Sequence, residues 1–398
     1  MGNWKSMLLK DFCIFNANTY GNKDVWIYVN YLDTGNITNN KIEKVQYIDL
    51  NKEKLPSRAR RKISYNSIIY STVRPNQLHY GIIKNIPDNF LVSTGFVVID
   101  VDEKIADADF IYYWLSQSSI TDKLQAIAEQ STSTYPSIKV SDLAELEIYL
   151  PPLWLQKNIS GILSIIDKKI TNNDKINRNL LEQAFSMVNE WEVNEQDHIG
   201  YEKVEDVAEL NPESYSSKDD WGFVNYLDTS SITEGTISEF TYIVPSEEKL
   251  PSRAKRKLKC KDIVYSTVRP NQKHYGFIRE PVKNMLASTG FVVVRAKSSR
   301  VCSELLYLLI TRDLVTEKMQ QIAEGSTSTF PSIKPSDLGA YEIPVPQTSC
   351  NMKLIEGLSS IFECIHANQK ENQELVELRD SLLPKFMSGE LDVSNLDI

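Results

Sequence analysis

The amino-acid sequence predicts an α+β protein: two repeated α/β domains separated by two long antiparallel coiled-coil helices, with pseudo-two-fold symmetry. Three observations carry this. The chain repeats itself at a constant offset, the hydrophobic period changes at the end of each copy, and strand-like and helix-like runs recur at matching places.

The repeat is read directly. NYLDTGNIT from Asn30 returns as NYLDTSSIT from Asn225, an offset of 195 residues. The same offset relates KLPSRARRKI from Lys54 to KLPSRAKRKL from Lys249, and YSTVRPNQLHYG from Tyr70 to YSTVRPNQKHYG from Tyr265. It also relates STGFVVI from Ser93 to STGFVVV from Ser288, and IAEQSTSTYPSIKVSDL from Ile127 to IAEGSTSTFPSIKPSDL from Ile322, without an insertion. One structural unit is used twice. The expected divisions are residues 1–151 (first domain), 152–195 (first helix), 196–346 (second domain), 347–390 (second helix) and 391–398 (acidic tail).

Within the first copy, the β-branched and aromatic runs Ser67 to Val73 and Val92 to Val101 are bounded by Asn, Gly and Pro and predict strands. Helical periodicity covers Asp109 to Glu129. After Pro151 and Pro152 the pattern changes. Ile159, Leu163, Ile166, Ile170, Asn173, Asn177, Leu180, Ala184, Met187 and Trp191 alternate steps of four and three, a coiled-coil seam. Leu354, Leu358, Ile361, Ile365, Asn368, Asn372, Leu375, Arg379 and Leu382 repeat it.

Asn173 and Asn177 occupy the same central layers as Asn368 and Asn372. A buried Asn costs stability but specifies register, because an apolar neighbour leaves its amide unsatisfied. Antiparallel pairing about the midpoints sets Asn173 near Asn372 and Asn177 near Asn368. Two separate amphipathic helices, each lying on its own domain, are the alternative. The seam of 33 residues from Ile159 to Trp191 rises about 50 Å.

Length and composition bound the function classes. At 398 residues, two or three domains with cores of their own are expected, and 41% hydrophobic with 24% charged residues describes a globular chain, not disorder. No stretch approaches the roughly 18 apolar residues of a membrane span, and MGNWKSMLLKDF lacks the apolar run of a signal peptide. A cytoplasmic protein is expected. Cys13, Cys260, Cys302, Cys350 and Cys364 are scattered, with no C-x-x-C and no zinc-ligand spacing, so they read as free thiols and no metal is expected.

No phosphate loop, G-x-G-x-x-G turn, H-E-x-x-H or H-x-E with P-C-x-x-C occurs, so no catalytic residue is nominated. Asn211-Pro212-Glu213-Ser214 begins like the Asn-Pro-Pro-aromatic loop of adenine methyltransferases but lacks the second proline and the aromatic, and reads as a turn.

Net charge is −9, yet binding to nucleic acid depends on where positive charge sits. Six basic residues lie between Lys52 and Lys62 against one Glu, and seven between Glu247 and Lys261 against two. Arg58, Arg60, Arg61 and Lys62, with Arg253, Lys255, Arg256 and Lys257, are the phosphate candidates. A solvated loop without a partner is the alternative. Tyr70 to Tyr80 brings Ser71, Thr72, Arg74, Asn76, Gln77 and His79 to one turn; Ser266, Thr267, Arg269, Asn271, Gln272, Lys273 and His274 repeat it. Arg bonds guanine bidentately and Asn or Gln does so with adenine, so these side chains suit direct readout. A salt-bridged structural arginine before the Pro75 turn is the other reading of Arg74. The hydroxyl-rich loop with Ser133, Thr134, Tyr135 and Lys139, repeated as Ser328, Thr329, Phe330 and Lys334, suits phosphate contacts, or else caps the neighbouring elements.

Nearly the whole chain resembles the specificity (S) subunit of type I restriction-modification systems. Carrying the resemblance are LPPLWLQKNISGILSIIDKKI from Leu150, its counterpart from Val345, LRDSLLPKFMSGEL from Leu378, and the STSTYPSIK and STSTFPSIK loops. It implies two target-recognition domains in inverted orientation, joined by antiparallel helices that dock two modification subunits. It also implies a non-catalytic role in a methyltransferase and endonuclease complex acting on double-stranded DNA. S-adenosylmethionine for adenine N6 methylation, and ATP and Mg for the restriction subunits, are implied on the partners and not on this chain. One departure is QTSCNMKLI at the start of the second helix, where Pro-Pro-Leu with Gln-Lys is usual, so its first turn is expected to pack differently. A coiled-coil adaptor for DNA or RNA outside restriction is the competing function.

The seam length exceeds one duplex turn of about 34 Å, so a bipartite target with an unread spacer is expected. Because Tyr70 to Gln77 and Tyr265 to Gln272 are identical, the halves should be near-palindromic. Differences sit at Leu78 against Lys273, Gln130 against Gly325 and Tyr135 against Phe330. Lys273, which adds a charge, is the expected source of asymmetry.

Overall fold

The computed structural model describes residues 4–21, 23–131, 135–216, 218–297, 300–326, 330–347, 352–391 and 393. The chain divides into two compact units: residues 1–171 with 372–398, and residues 172–371. Each joins one α/β domain to part of both long helices.

In the first unit, Gln46–Asp49, Tyr28–Leu32, Phe90–Ser93 and Ala59–Arg61 form a four-stranded sheet in that order. Phe90–Ser93 runs parallel to Tyr28–Leu32; the other pairs are antiparallel. A second, antiparallel sheet has the order Cys13–Phe15, Phe96–Val101, Ile68–Ser71, Tyr80–Ile82. Ile68–Ser71 is buried throughout, which is why its sequence is a continuous apolar run and not an alternation. Ile68 and Tyr70 face a core containing the helices, while Ile69 joins Leu32, Val92 and Phe96 in the core between strands.

Two expected elements are subdivided. The run from Val92 to Val101 is two strands, Phe90–Ser93 and Phe96–Val101, broken at Thr94–Gly95 where the chain leaves one sheet for the other. The helical stretch is Ala108–Leu115 and Ser118–Glu129, the first capped by Asp107, whose carboxylate accepts from the Phe110 N–H at 2.9 Å.

The second unit repeats these elements. Its sheets have the orders Thr241–Ile243, Val224–Leu227, Met285–Ser288, Ala254–Lys257 and Ala208–Leu210, Phe291–Ala296, Asp262–Ser266, Tyr275–Ile278. Asn211 is a turn residue in the left-handed region, φ 53°, and its side chain accepts from the Val293 N–H as Asn16 does from Val98.

The long helices are Leu153–Asn194 and Met352–Ser388; residues 348–351, on which the expected different first turn falls, lie outside the described residues. In the first unit Ile159 and Leu163 share a core with Leu383, Phe386 and Met387, and Asp167 meets Arg379 at 2.9 Å. In the second, Ala184, Val188 and Trp191 share one with Leu354, Leu358, Ile361 and Phe362. There Asn368 donates to Asn177 at 2.8 Å and Asn173 to Glu371 at 2.7 Å; in the first unit Asn372 reaches the Ile170 carbonyl at 3.5 Å. The pairing is antiparallel within each unit. Among the described residues no helix is long and apolar enough to cross a membrane. Cys13 is buried, and burial pushes its thiol up to about 12.

Each unit's core therefore contains side chains from both long helices. Phe386→Ala should cost the first unit about 3–5 kcal/mol and speed amide exchange in Ile68–Ser71 and Phe96–Val101, leaving Asp262–Ser266 and Phe291–Ala296 protected. Phe362→Ala should do the reverse. Equal responses of both strand sets to either change would refute this division of the core.

Candidate nucleic-acid interface

Four segments of the first unit meet edge to edge through their main chains. The Thr94 N–H donates to the Arg58 carbonyl at 2.8 Å, and the Thr72 N–H to Gly95 at 2.8 Å. Ile138 donates to Thr72 at 2.8 Å, Val73 bridges Ser137, and the Arg74 N–H reaches Pro136 at 3.0 Å. The second unit builds the same corner: Thr289 to Arg253 at 2.8 Å, Thr267 to Gly290 at 2.8 Å, Ile333 to Thr267 at 2.9 Å and Arg269 to Pro331 at 2.9 Å, with Val268 bridging Ser332. Glycine is needed at the corner, since a Cβ on Gly95 would lie 2.7 Å from Thr34 Cγ2 and one on Gly290 2.7 Å from Thr229 Cγ2.

The corner brings Arg58, Thr72, Arg74 and Tyr135 together, though they are far apart in sequence. Arg74 and Arg269 are exposed and sit in the left-handed region with φ 48° and 47°, just before the Pro75–Gln77 and Pro270–Gln272 turns. Each guanidinium lies over an exposed ring, Arg74 over Tyr135 at 5.2 Å and Arg269 over Phe330 at 5.3 Å. Asn76, Gln77, Asn271 and Gln272 are exposed beside them. The Asn76 N–H donates to Gln125 Oε1 at 3.3 Å and the Asn271 N–H to Gln320 Oε1 at 3.2 Å. Thr94, Gly95 and Gln125 thus belong to the corner without having been nominated from sequence. The identity of STGFVV in both copies is the signal that could have found two of them.

Other nominated residues are committed internally. Ser71 and Ser266 are buried and their hydroxyls close the turn on Val73 and Val268; Thr72 and Thr267 donate to the Gly95 and Gly290 carbonyls at 3.0 and 2.9 Å. His79 and His274 are half-buried, and Nδ1 donates to the Ile37 and Ile232 carbonyls at 2.6 and 2.7 Å. Lys139 and Lys334 are exposed at the starts of Val140–Ala144 and Pro335–Gly339. Ser133, Thr134, Ser328 and Thr329 lie outside the described residues.

The basic clusters divide by orientation. Arg58, Arg253 and Lys255 are exposed, and Arg60 is half-buried with Nε 3.4 Å from the Ser57 carbonyl. Arg61 and Arg256 are half-buried, and burial lowers the Arg256 guanidinium below its usual range. Lys62 pairs with Asp24 over the Trp26 ring at 5.4 Å, and Lys257 with Asp219 over Trp221 at 5.6 Å.

Lys273 is held in two ion pairs. Asp313 at 2.9 Å and Glu234 at 3.2 Å hold its ammonium well above the usual lysine range. The matching places of the first unit carry Leu78, Ser118 and Asn39. One cation has arrived with two anions in this turn.

A family model described as type I restriction modification DNA specificity domain matches residues 1–182 and 199–377. The chain is 24% identical to the HindI specificity subunit of Haemophilus influenzae over 98% of its length and the whole of that protein. It is also 24% identical to the MjaIX specificity subunit of Methanocaldococcus jannaschii, covering 73% of this chain and 70% of the relative. A crystal structure of a type-I restriction-modification S subunit from M. genitalium is similar in fold, with a TM-score of 0.54 at 16% identity over 96% of each chain.

The orientation of the basic residues sorts their effects. Arg58→Gln or Arg253→Gln should lower the slope of log affinity against log salt for duplex DNA by about one. Lys62→Gln and Lys257→Gln should lower thermal stability and leave that slope as it was. An unchanged slope in the arginine variants, measured by titration across salt concentrations, would remove these two residues from the phosphate contacts.

Proposed function

The chain belongs to the type I restriction-modification DNA specificity family, and from that membership we propose that it reads a bipartite, near-palindromic target in double-stranded DNA and catalyses nothing itself. The observation that supports the reading best is the corner present twice: an exposed arginine over an exposed ring, with Asn and Gln beside it, held by the same main-chain hydrogen bonds in both units. Arg74 and Arg269 with Asn76, Gln77, Asn271 and Gln272 address base edges, where paired donors distinguish base pairs. Arg58, Arg60, Arg253, Lys255, Lys139 and Lys334 address phosphates, which orient the protein without reading sequence.

The long helices supply the rest of the proposal. They dock two modification subunits and, in systems that cut, restriction subunits. The partners bring S-adenosylmethionine, ATP and Mg; this chain selects where adenine is methylated. The Asn177–Asn368 hydrogen bond helps to set the register of the helices, and the seam of 33 residues makes the spacer longer than a duplex turn. Compensation of Lys273 by Glu234 and Asp313 favours two halves read alike.

Mapping methyladenine in a host genome with and without the gene should show an interrupted palindrome that disappears with the gene. Two unrelated half-sites would end the claim that both domains read alike, and selective binding of RNA over duplex DNA would favour the adaptor function. Inserting a heptad into both helices should lengthen the spacer while leaving both half-sites unaltered.

A further inference from the structure

We propose that Tyr135 and Phe330 are positioning residues that hold the guanidinium groups of Arg74 and Arg269 in the orientation that recognises a guanine in each half-site. The inference rests on the reading of the corner as DNA-facing. It assigns the rings a different task from the phosphate contact that a tyrosine hydroxyl would make.

The backbone beneath each arginine is fixed. A non-glycine residue at φ 48° or 47° persists only where its surroundings hold it. Here the arginine N–H is bonded to Pro136 or Pro331, and the next turn is pinned by Gln125 or Gln320, themselves bonded to Glu129 and Glu324 at 2.9 Å. What remains free is the rotation of a long side chain. The ring restricts that freedom by holding the guanidinium carbon over it, 5.2 or 5.3 Å from the ring centroid, within cation–π range.

The N–H groups of a guanidinium lie in its own plane, and that fork matches the O6 and N7 acceptors of guanine. Among the described residues no carboxylate forms an ion pair with either arginine, which suits a fork that turns to a base edge. Both rings are more than half exposed, at 58% and 56%, so core packing does not explain their presence. The two copies also provide a comparison: the position is Tyr in one and Phe in the other, with nearly the same distance from guanidinium carbon to ring centroid. The common element is the ring, not the hydroxyl.

Selection from a pool of randomised duplexes with the full-length chain tests this. The unaltered protein should recover a motif with guanine at the equivalent place in each half, and Arg74→Ala should lose it in one half. Tyr135→Ala and Tyr135→Leu, the latter keeping apolar bulk without a ring, should weaken preference for that guanine about tenfold while the salt slope stays constant. Tyr135→Phe should restore the preference.

If Arg74→Ala relaxes the base and both ring-free variants select it as strictly as before, the positioning role is overturned. It is equally overturned if they lower affinity for all duplexes and reduce the salt slope by about one, the mark of a phosphate contact. Failure to recover a motif, or an Arg74→Ala motif identical to the original, would instead overturn the underlying reading of the corner.

Discussion

Neither α/β domain closes its core with its own residues, and the rest of the structure depends on this constraint. The helices Ala108–Leu115 and Ser303–Ile310 are almost wholly apolar, and a helix hydrophobic all round must be covered on every side. The sheet covers one side. The long helices cover another, with Ile159, Leu163, Leu383, Phe386 and Met387 in the first unit and Ala184, Val188, Trp191, Leu354, Leu358 and Phe362 in the second. Helix pairing and domain packing share the same side chains, because residues of both long helices belong to each unit's core. Buried Gln156 ties them further, accepting from the Asp107 N–H at 2.9 Å and donating to the Pro151 carbonyl at 2.8 Å.

On that frame the corner is built almost entirely from main chain. Its small polar side chains serve the backbone, which leaves few groups facing outward and places those few on a rigid base. The same economy governs divergence between copies. Where Ser67 donates to Asp100 in the first unit, Asp262 pairs with Arg295 at 2.7 Å in the second, and Glu213 joins from the position of Asn18. Charges have been exchanged in compensating sets, and the backbone beneath has stayed in register.

Much of this was legible in the sequence because it rests on exact spacing. A 195-residue offset without insertions means superposable domains, and steps of four and three mean a helical seam. The candidate site was legible only in part. Thr94–Gly95 lies inside an apolar run whose period does not reveal a change of sheet, and Gly95 is required by its closeness to Thr34, a contact across 61 positions. Arg58 and Lys62 sit in one basic run, yet Lys62 turns inward because Asp24 and Trp26 wait for it from a distant segment. Likewise the fate of Lys273 depends on Glu234 and Asp313, residues unremarkable until the fold brings them to it. Local pattern reports which face is apolar; it does not report which partner a charge will find.

The helix pair is not the same at its two ends. In the first unit Asp167 accepts from the Tyr113 hydroxyl at 2.7 Å and pairs with Arg379, whereas the matching places of the second unit hold Phe362, Leu308 and Ala184 in an apolar cluster. Two copies of the first half alone would set Asp167 against Ala184 and leave its carboxylate with the Tyr113 hydroxyl but no arginine; two copies of the second would set Arg379 against Phe362 and leave the guanidinium with Asp380 alone. Each half carries one member of a polar pair and one of an apolar pair, so that joining the two unlike halves matches Asp167 with Arg379 and Ala184 with Phe362, whereas joining like halves matches neither.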